Sequence, residues 1–367
     1  MPQATAPRDL GSPNRALAMS TIAFTTCFAV WTIFSIIGVR IKEELGLSET
    51  AFGLLIGLPV LSGSLVRLVL GIWTDRWGGR IVYTATMLLA ALATALLSFA
   101  ETYPQMLLAG LGVGLAGGSF AVGVAYVSRF YPTGRQGTAL GIFGVGNVGA
   151  AVTKFVAPFV LVAYGWETVA LAWAAALAVM AAVFWFSTED DPVIRARRAG
   201  EAAPARPFLK EFEPLRDLRV WRFSLYYFFT FGAFVALALW LPRYLVGVYG
   251  FDITAAGLIG AAGSAVLPWQ AFMGVTFVLG FFMSLGKAAV YKHIPAYYPG
   301  SVGAVGGLVG MIGGLGGFVL PLAFGALKDA TGLGSSCFAL LFLLVAVCFL
   351  WMTATVRRLN ATPVPAE

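Results

Sequence analysis

The chain has 367 residues, 59% of them hydrophobic and 11% charged, with a formal net charge of +7. An ordinary soluble domain carries roughly a quarter charged residues, so a water-soluble globular protein is excluded. The positive balance does not point to nucleic acid, because its placement along the chain accounts for it. Apolar runs of about 20 residues suffice to cross a hydrocarbon core of about 30 Å as helices. Strand-like alternation is absent, which argues against a barrel. The expected fold is an all-α polytopic membrane protein.

The polar start, MPQATAPRDLGSPNRALA, leads into an apolar run that continues through Val39. That is too long for the core of a signal peptide and reads as a retained helix. Spans are expected at Ala16–Val39, Ala51–Trp73, Ile81–Ala100, Met106–Val127, Ala139–Ala163 and Glu167–Phe186. These make a six-helix N-terminal bundle over residues 1–186. The stretch 187–219 is rich in charge, Ala and Pro and reads as a cytoplasmic linker. Beyond it, Val220–Leu241, the longer region Ala255–Tyr291, Ser301–Gly325 and Gly334–Thr355 form a second bundle over 220–355, followed by a cytoplasmic tail at 356–367.

With the N-terminus inside, 17 of the 24 Lys and Arg fall in inside segments, among them Arg76, Arg80, Arg129, Arg135, Lys292 and eight in or beside the linker. Arg40, Lys42, Arg243 and Lys328 fall outside. This bias sets a topology with both termini cytoplasmic. Arg67, Lys154 and Lys287 remain, all within spans. Cys27, Cys337 and Cys348 also lie in apolar runs and read as small packing residues.

The halves repeat each other. Gly46-Leu-Ser-Glu-Thr50-Ala51-Phe-Gly53-Leu54-Leu55 matches Gly250-Phe-Asp-Ile-Thr254-Ala255-Ala-Gly257-Leu258-Ile259 at an offset of 204. Tyr131-Pro132 matches Tyr298-Pro299, and the offset has fallen to 167, so 37 residues are absent from the second half. The missing block corresponds roughly to Ser64–Thr102 of the first half, that is, part of a helix 8 and a helix 9. One crossing must then serve Ile253–Tyr291. A straight helix of that length would span about 58 Å, which is too long. Pro268 is therefore expected to break it, leaving Ala255–Leu267 re-entrant or interfacial, with about ten full spans in all.

Three features carry chemistry. Arg67 is costly in a bilayer and by default marks a site; its planar fork suits a planar oxyanion, while snorkelling to the surface is the bland alternative. Lys287 and Lys154 are mid-helix ammonium groups, and no Asp or Glu lies deep in any span. A net positive cavity and an anionic substrate follow. Glycines recur at Gly137, Gly141, Gly144, Gly146 and Gly149 around Asn147, and again from Gly303 through Gly310, Gly313 and Gly314 to Gly317. Such faces let helices approach closely, and their pairing in both halves suggests backbone lining a cavity. With one His, no metal spacing and no phosphate loop, neither an enzyme, a metal nor a cofactor is expected.

The turn Gly71-x-x-x-Asp75-Arg76-x-Gly78-Gly79-Arg80 resembles the signature loop of the major facilitator superfamily. Gly144-Val-Gly146-Asn147-Val-Gly149 with Thr153-Lys154-Phe-Val-Ala-Pro158, and Gly306 to Pro321, are similar to the paired glycine signatures of its nitrate/nitrite porter family, as is Gly286-Lys287-Ala-Ala-Val-Tyr291-Lys292-His293-Ile-Pro295. The resemblance implies two pseudo-repeated helical bundles in a cytoplasmic (inner) membrane. It also implies uptake, extrusion or exchange of nitrate and nitrite by alternating access, with a co-transported proton left open. It places the anion between two arginines, one per half. By motif, Arg67 is the first, Asn147 the asparagine contact, and Phe120, Tyr227 and Phe231 the aromatic contacts; Asp75, Arg76 and Arg80 belong to the inner gate with Gly71. The second arginine would fall near position 271, which is Ala271. Either Lys287 replaces it or the anion site is half built. A transport-inactive remnant or partner subunit, and a carrier of another small anion, are the alternative readings.

Overall fold

In lipid a chain satisfies its backbone N–H and C=O groups internally, and this sequence does so with helices throughout. The computed structural model describes residues 12–201, 208–237 and 269–361. Every regular element among them is helical. In chain order these are α1 (Pro13–Trp31), α2 (Phe34–Leu45), α3 (Glu49–Trp77), α4 (Gly79–Leu97), α5 (Tyr103–Val113), α6 (Leu115–Ser128), α7 (Thr133–Gly144), α8 (Gly149–Tyr164), α9 (Trp166–Ser187), α10 (Pro192–Arg198) and α11 (Leu218–Tyr227). Three long helices follow: α12 (Trp269–Tyr297), α13 (Val302–Thr331) and α14 (Ser336–Ala361).

Nine helical segments among the described residues are long and apolar enough to cross a membrane. The 29 residues of α12 reach about 44 Å as a helix, so it is long enough to cross as well. The stretch expected to be re-entrant, Ala255–Leu267, and the expected break at Pro268 lie outside the described residues.

Several crossings depart from straight helices. The first runs from Pro13 to Leu45, beyond the expected Val39, and is interrupted between α1 and α2. There the Thr32 hydroxyl donates back to Phe28 and Ala29 carbonyls, and Ser35 donates to the Thr32 carbonyl. Such side-chain bonds compete with the helical ladder. A 3₁₀ turn, Val145–Val148, joins α7 to α8 within one crossing, and a π-helical turn, Phe228–Ala233, continues α11. Local π-turns are frequent at functional sites.

The chain forms two compact units. The first comprises Met1–Asp217 and Tyr291–Met311, the second Leu218–Val290 and Ile312–Glu367. In the first, α4 packs on α9, α3 on α6, and α1 on α6, α8 and α9. Its core holds Phe24, Phe28, Trp31, Tyr83, Phe143 and Phe184. In the second, Ala233, Ala236, Leu237, Met283, Leu320, Phe324, Cys337 and Leu341 form an apolar cluster.

Candidate functional site

Ser48 starts α3 by accepting the Ala51 N–H at 3.2 Å, and the helix then carries Arg67 inward. Arg67 is 0% exposed. Its Nε donates to the Gly117 carbonyl at 3.0 Å and its Nη1 to the Gly310 carbonyl at 2.8 Å. The guanidinium carbon lies 5.4 Å from the Trp31 ring centroid and 5.8 Å from that of Phe120. Snorkelling does not describe this side chain. Carbonyls and aromatic faces replace the water that a buried cation would otherwise lose.

The aromatic frame is continuous. Phe120 meets Tyr291 edge to face at 4.9 Å and tilts against Phe24 at 5.3 Å. Tyr291 donates its hydroxyl to the Gly306 carbonyl at 2.9 Å. A Cβ added at Gly310 would stand 2.8 Å from the Tyr291 hydroxyl and 3.2 Å from Arg67 Cδ, so the absence of a side chain there lets both groups in. Asn147 sits on the 3₁₀ turn and donates Nδ2 to the Gly144 carbonyl at 2.6 Å, while its Oδ1 is buried and meets no donor. Next to it, Gly146 packs on Phe24, and Gly149 on the backbone of Thr25 and Ala29. Phe24 thus joins the Asn147 turn to Phe120. Of the expected site residues, the first unit brings together Arg67, Phe120 and Gly310, and joins Asn147 to them through Phe24.

The second unit holds a separate group. Tyr227 and Phe231 stack at 5.1 Å with planes 6° apart, as one helical turn predicts. Gly313 gives Tyr227 its place, since a Cβ at Gly313 would collide with the ring; Gly314 is buried beside it. The Lys287 ammonium lies 4.1 Å from the Phe234 ring and 5.7 Å from that of Phe231. A cation over two aromatic faces is the chemistry expected of a group held in a dry setting.

The charged turn forms a third cluster, in the first unit. Gly71 and Gly303 meet backbone to backbone, and neither has room for a Cβ. One turn along, the Asp75 carboxylate accepts from Arg129 Nη2 at 2.6 Å and from the Ala304 N–H at 2.9 Å. A carboxylate at the first turn of α13 is favoured by the helix dipole. Arg129 also donates to Asp191 at 3.0 Å, and Arg197 donates to the Asp75 carbonyl at 2.7 Å. Burial alone would lower the Arg129 pKa; the Asp191 and Asp75 carboxylates outweigh it and hold the pKa above its ordinary value. Arg76 is exposed, and Arg80 lies 4.1 Å over the Trp185 ring while donating twice to the Trp185 carbonyl. Sequence reasoning missed Trp31, Arg129 and Asp191 and gave Tyr291 no role. The signals were faint: a Trp one residue before a polar Thr, a lone arginine just after an apolar run, and one aspartate within the acidic run Glu189-Asp190-Asp191. Among the described residues, no group of His, Cys, Asp and Glu is placed to hold a metal.

A model of the Major Facilitator Superfamily matches residues 19–268. The probable nitrate/nitrite antiporter NarK1 of Thermus thermophilus is 41% identical over 414 residues, covering 94% of this chain and 92% of that protein. That aligned length exceeds the chain itself, so the alignment opens gaps in this sequence. The nitrite extrusion protein of Bacillus subtilis is 29% identical over 355 residues, covering 86% and 88%. Among solved structures, the human organic anion transporter MFSD10 superposes with a TM-score of 0.64 over 93% of this chain and 99% of that one, at 15% identity, a likeness of fold alone. The fold is therefore that of the major facilitators, multi-pass membrane proteins. Within that superfamily the chain belongs to the nitrate/nitrite porter family.

Proposed function

We propose that this protein carries nitrate and nitrite across a bacterial inner membrane by alternating access, exchanging one for the other. The observation that supports it most is Arg67, buried among carbonyls and aromatic rings, where a planar oxyanion can replace a carbonyl as partner to the fork. The Thermus relative is named a probable nitrate/nitrite antiporter and the Bacillus relative a nitrite extrusion protein, in agreement with that substrate. In this reading Asn147 and Phe120 complete the contact made by Arg67. Tyr227, Phe231 and Lys287, grouped within the second unit, are candidate anion contacts by motif, with Lys287 in the role an arginine would otherwise fill. Asp75 and Gly71, with Arg76 and Arg80, belong to a gate on the cytoplasmic side, where both termini lie.

The test is counterflow of isotopically labelled nitrate into proteoliposomes preloaded with nitrite. Uptake should exceed that of protein-free vesicles and should vanish in R67Q. Flux equal to protein-free vesicles refutes transport, and labelled-nitrate binding without flux would identify a non-transporting binding unit. Competition by formate and chlorate separates nitrate selectivity from a general small-anion carrier.

A further inference from the structure

Trp31 is the last residue of α1, immediately before the interruption in the first crossing. It is 4% exposed. Its indole N–H donates to the Pro59 carbonyl of α3 at 2.8 Å, and its ring is edge-on to Phe28 at 5.2 Å. Two glycines make its slot. A Cβ at Gly63 would stand 2.6 Å from the indole nitrogen, and one at Gly117 would stand 2.5 Å from the indole Cε2. The indole is thus wedged between the α3 and α6 backbones. The same Gly117 whose missing side chain admits the ring offers its carbonyl to Arg67 Nε.

This arrangement does more than fill space. The side chain has an anchored polar edge, and its π face lies 5.4 Å from the Arg67 guanidinium carbon. Phe120 provides a second face at 5.8 Å, but no ring hydrogen bond can anchor a phenyl group. We propose that Trp31 is a positioning residue of the anion site: its anchored indole face fixes the plane of the Arg67 guanidinium and so sets how tightly a planar oxyanion is bound. The proposal rests on the reading of Arg67 as the anion-binding cation. A planar fork meets a planar anion with two parallel bonds only when the planes agree, so a guanidinium free to rotate loses affinity without losing charge.

The test uses the full chain in lipid nanodiscs, with W31F retaining a π face and W31L removing it at similar bulk. Labelled-nitrate binding should weaken by no more than about threefold in W31F, which keeps a π face but loses the N–H anchor to Pro59, and by about tenfold or more in W31L, the range of a desolvated cation–π contact. Flux should follow through KM, with the maximal rate changed less. Equal losses in W31F and W31L, or none in W31L, overturn the proposal. A second readout needs no nitrate. The Arg67 Nε–H resonance in arginine-15N-labelled protein, assigned by its absence in R67Q, should carry a ring-current shift kept in W31F and lost in W31L. An unmoved resonance in W31L overturns the positioning role. A moved resonance in a protein that never binds nitrate upholds it and refutes the substrate instead. Should either variant fail to fold, graded fluorotryptophans at position 31 replace both: affinity and shift change stepwise with fluorine number, and a flat series overturns the proposal.

Discussion

A lysine at position 67 would keep the charge and lose the fork. One ammonium cannot reach the Gly117 and Gly310 carbonyls from two fixed directions while presenting a planar face to Trp31 and Phe120. R67K should therefore fold, run as a single species in gel filtration, and bind labelled nitrate at least about tenfold more weakly, or about 1.4 kcal/mol. R67Q removes the charge as well and should lose about 2 to 5 kcal/mol of affinity. Binding by R67K at wild-type strength would show that charge alone is recognised. Arg67 was legible from sequence because lipid makes an arginine conspicuous whatever surrounds it. Phe120 was legible beside it by motif; its other partners were not. Trp31 sits in an apolar run where a tryptophan is unremarkable, and backbone carbonyls leave no trace in side-chain identity.

Elements meet through two devices of different legibility. The glycine runs advertised close approach, and the backbones of α3 and α13 do touch at Gly71 and Gly303, with Gly307 against the Arg67 carbonyl. A methyl group at Gly303 has only backbone and the Asp75 carboxylate to push against, so G303A should destabilise by about 1 to 3 kcal/mol, the usual cost of overpacking, and lower the detergent melting temperature. An unchanged melting temperature would mean that the helices separate freely. The charged cluster was half legible. Asp75 stood out in the turn motif, but its partner is Arg129 from the end of α6, with Asp191 from the start of α10, rather than Arg76. Those partners come from segments 54 to 116 positions apart in sequence, a separation that spacing arguments do not bridge. R129Q leaves the Asp75 and Asp191 carboxylates buried together without their cation, and removing one member of such a group costs about 3 to 5 kcal/mol. The D75N/R129Q double variant removes one of the two charges, so it should melt above R129Q alone. A double variant less stable than R129Q would locate the stabilisation elsewhere, for instance in the bond from Ala304 to Asp75.

For the molecule as a whole, membrane class, helical architecture and family were all readable, because bilayer crossing imposes length and hydropathy that composition cannot hide. Helix interruptions were not, since they follow from local bonds such as those of Thr32 and Asn147. The placement of charge leads to the last prediction. In the described spans the carboxylates lie towards helix ends: Glu43 and Glu44 close α2, Asp75 is engaged by Arg129 and α13, and Glu167 opens α9. Of the three cations within spans, Arg67 and Lys287 are set against aromatic faces. Carrying such a cation through a conformational change is costly in a low-dielectric setting, and a bound anion offsets that cost. Loaded carriers should therefore reorient faster than empty ones, which is the condition for exchange. Labelled nitrate held inside proteoliposomes should leave at least about tenfold faster when nitrite or nitrate is outside than when neither is, a difference of about 1.4 kcal/mol between the two reorientation barriers. Imposing an acidic exterior, or adding a protonophore, should leave that ratio unchanged. Efflux accelerated by a proton gradient alone, with no anion outside, would instead require a proton-binding group that moves with the substrate, and exchange would be the wrong mechanism.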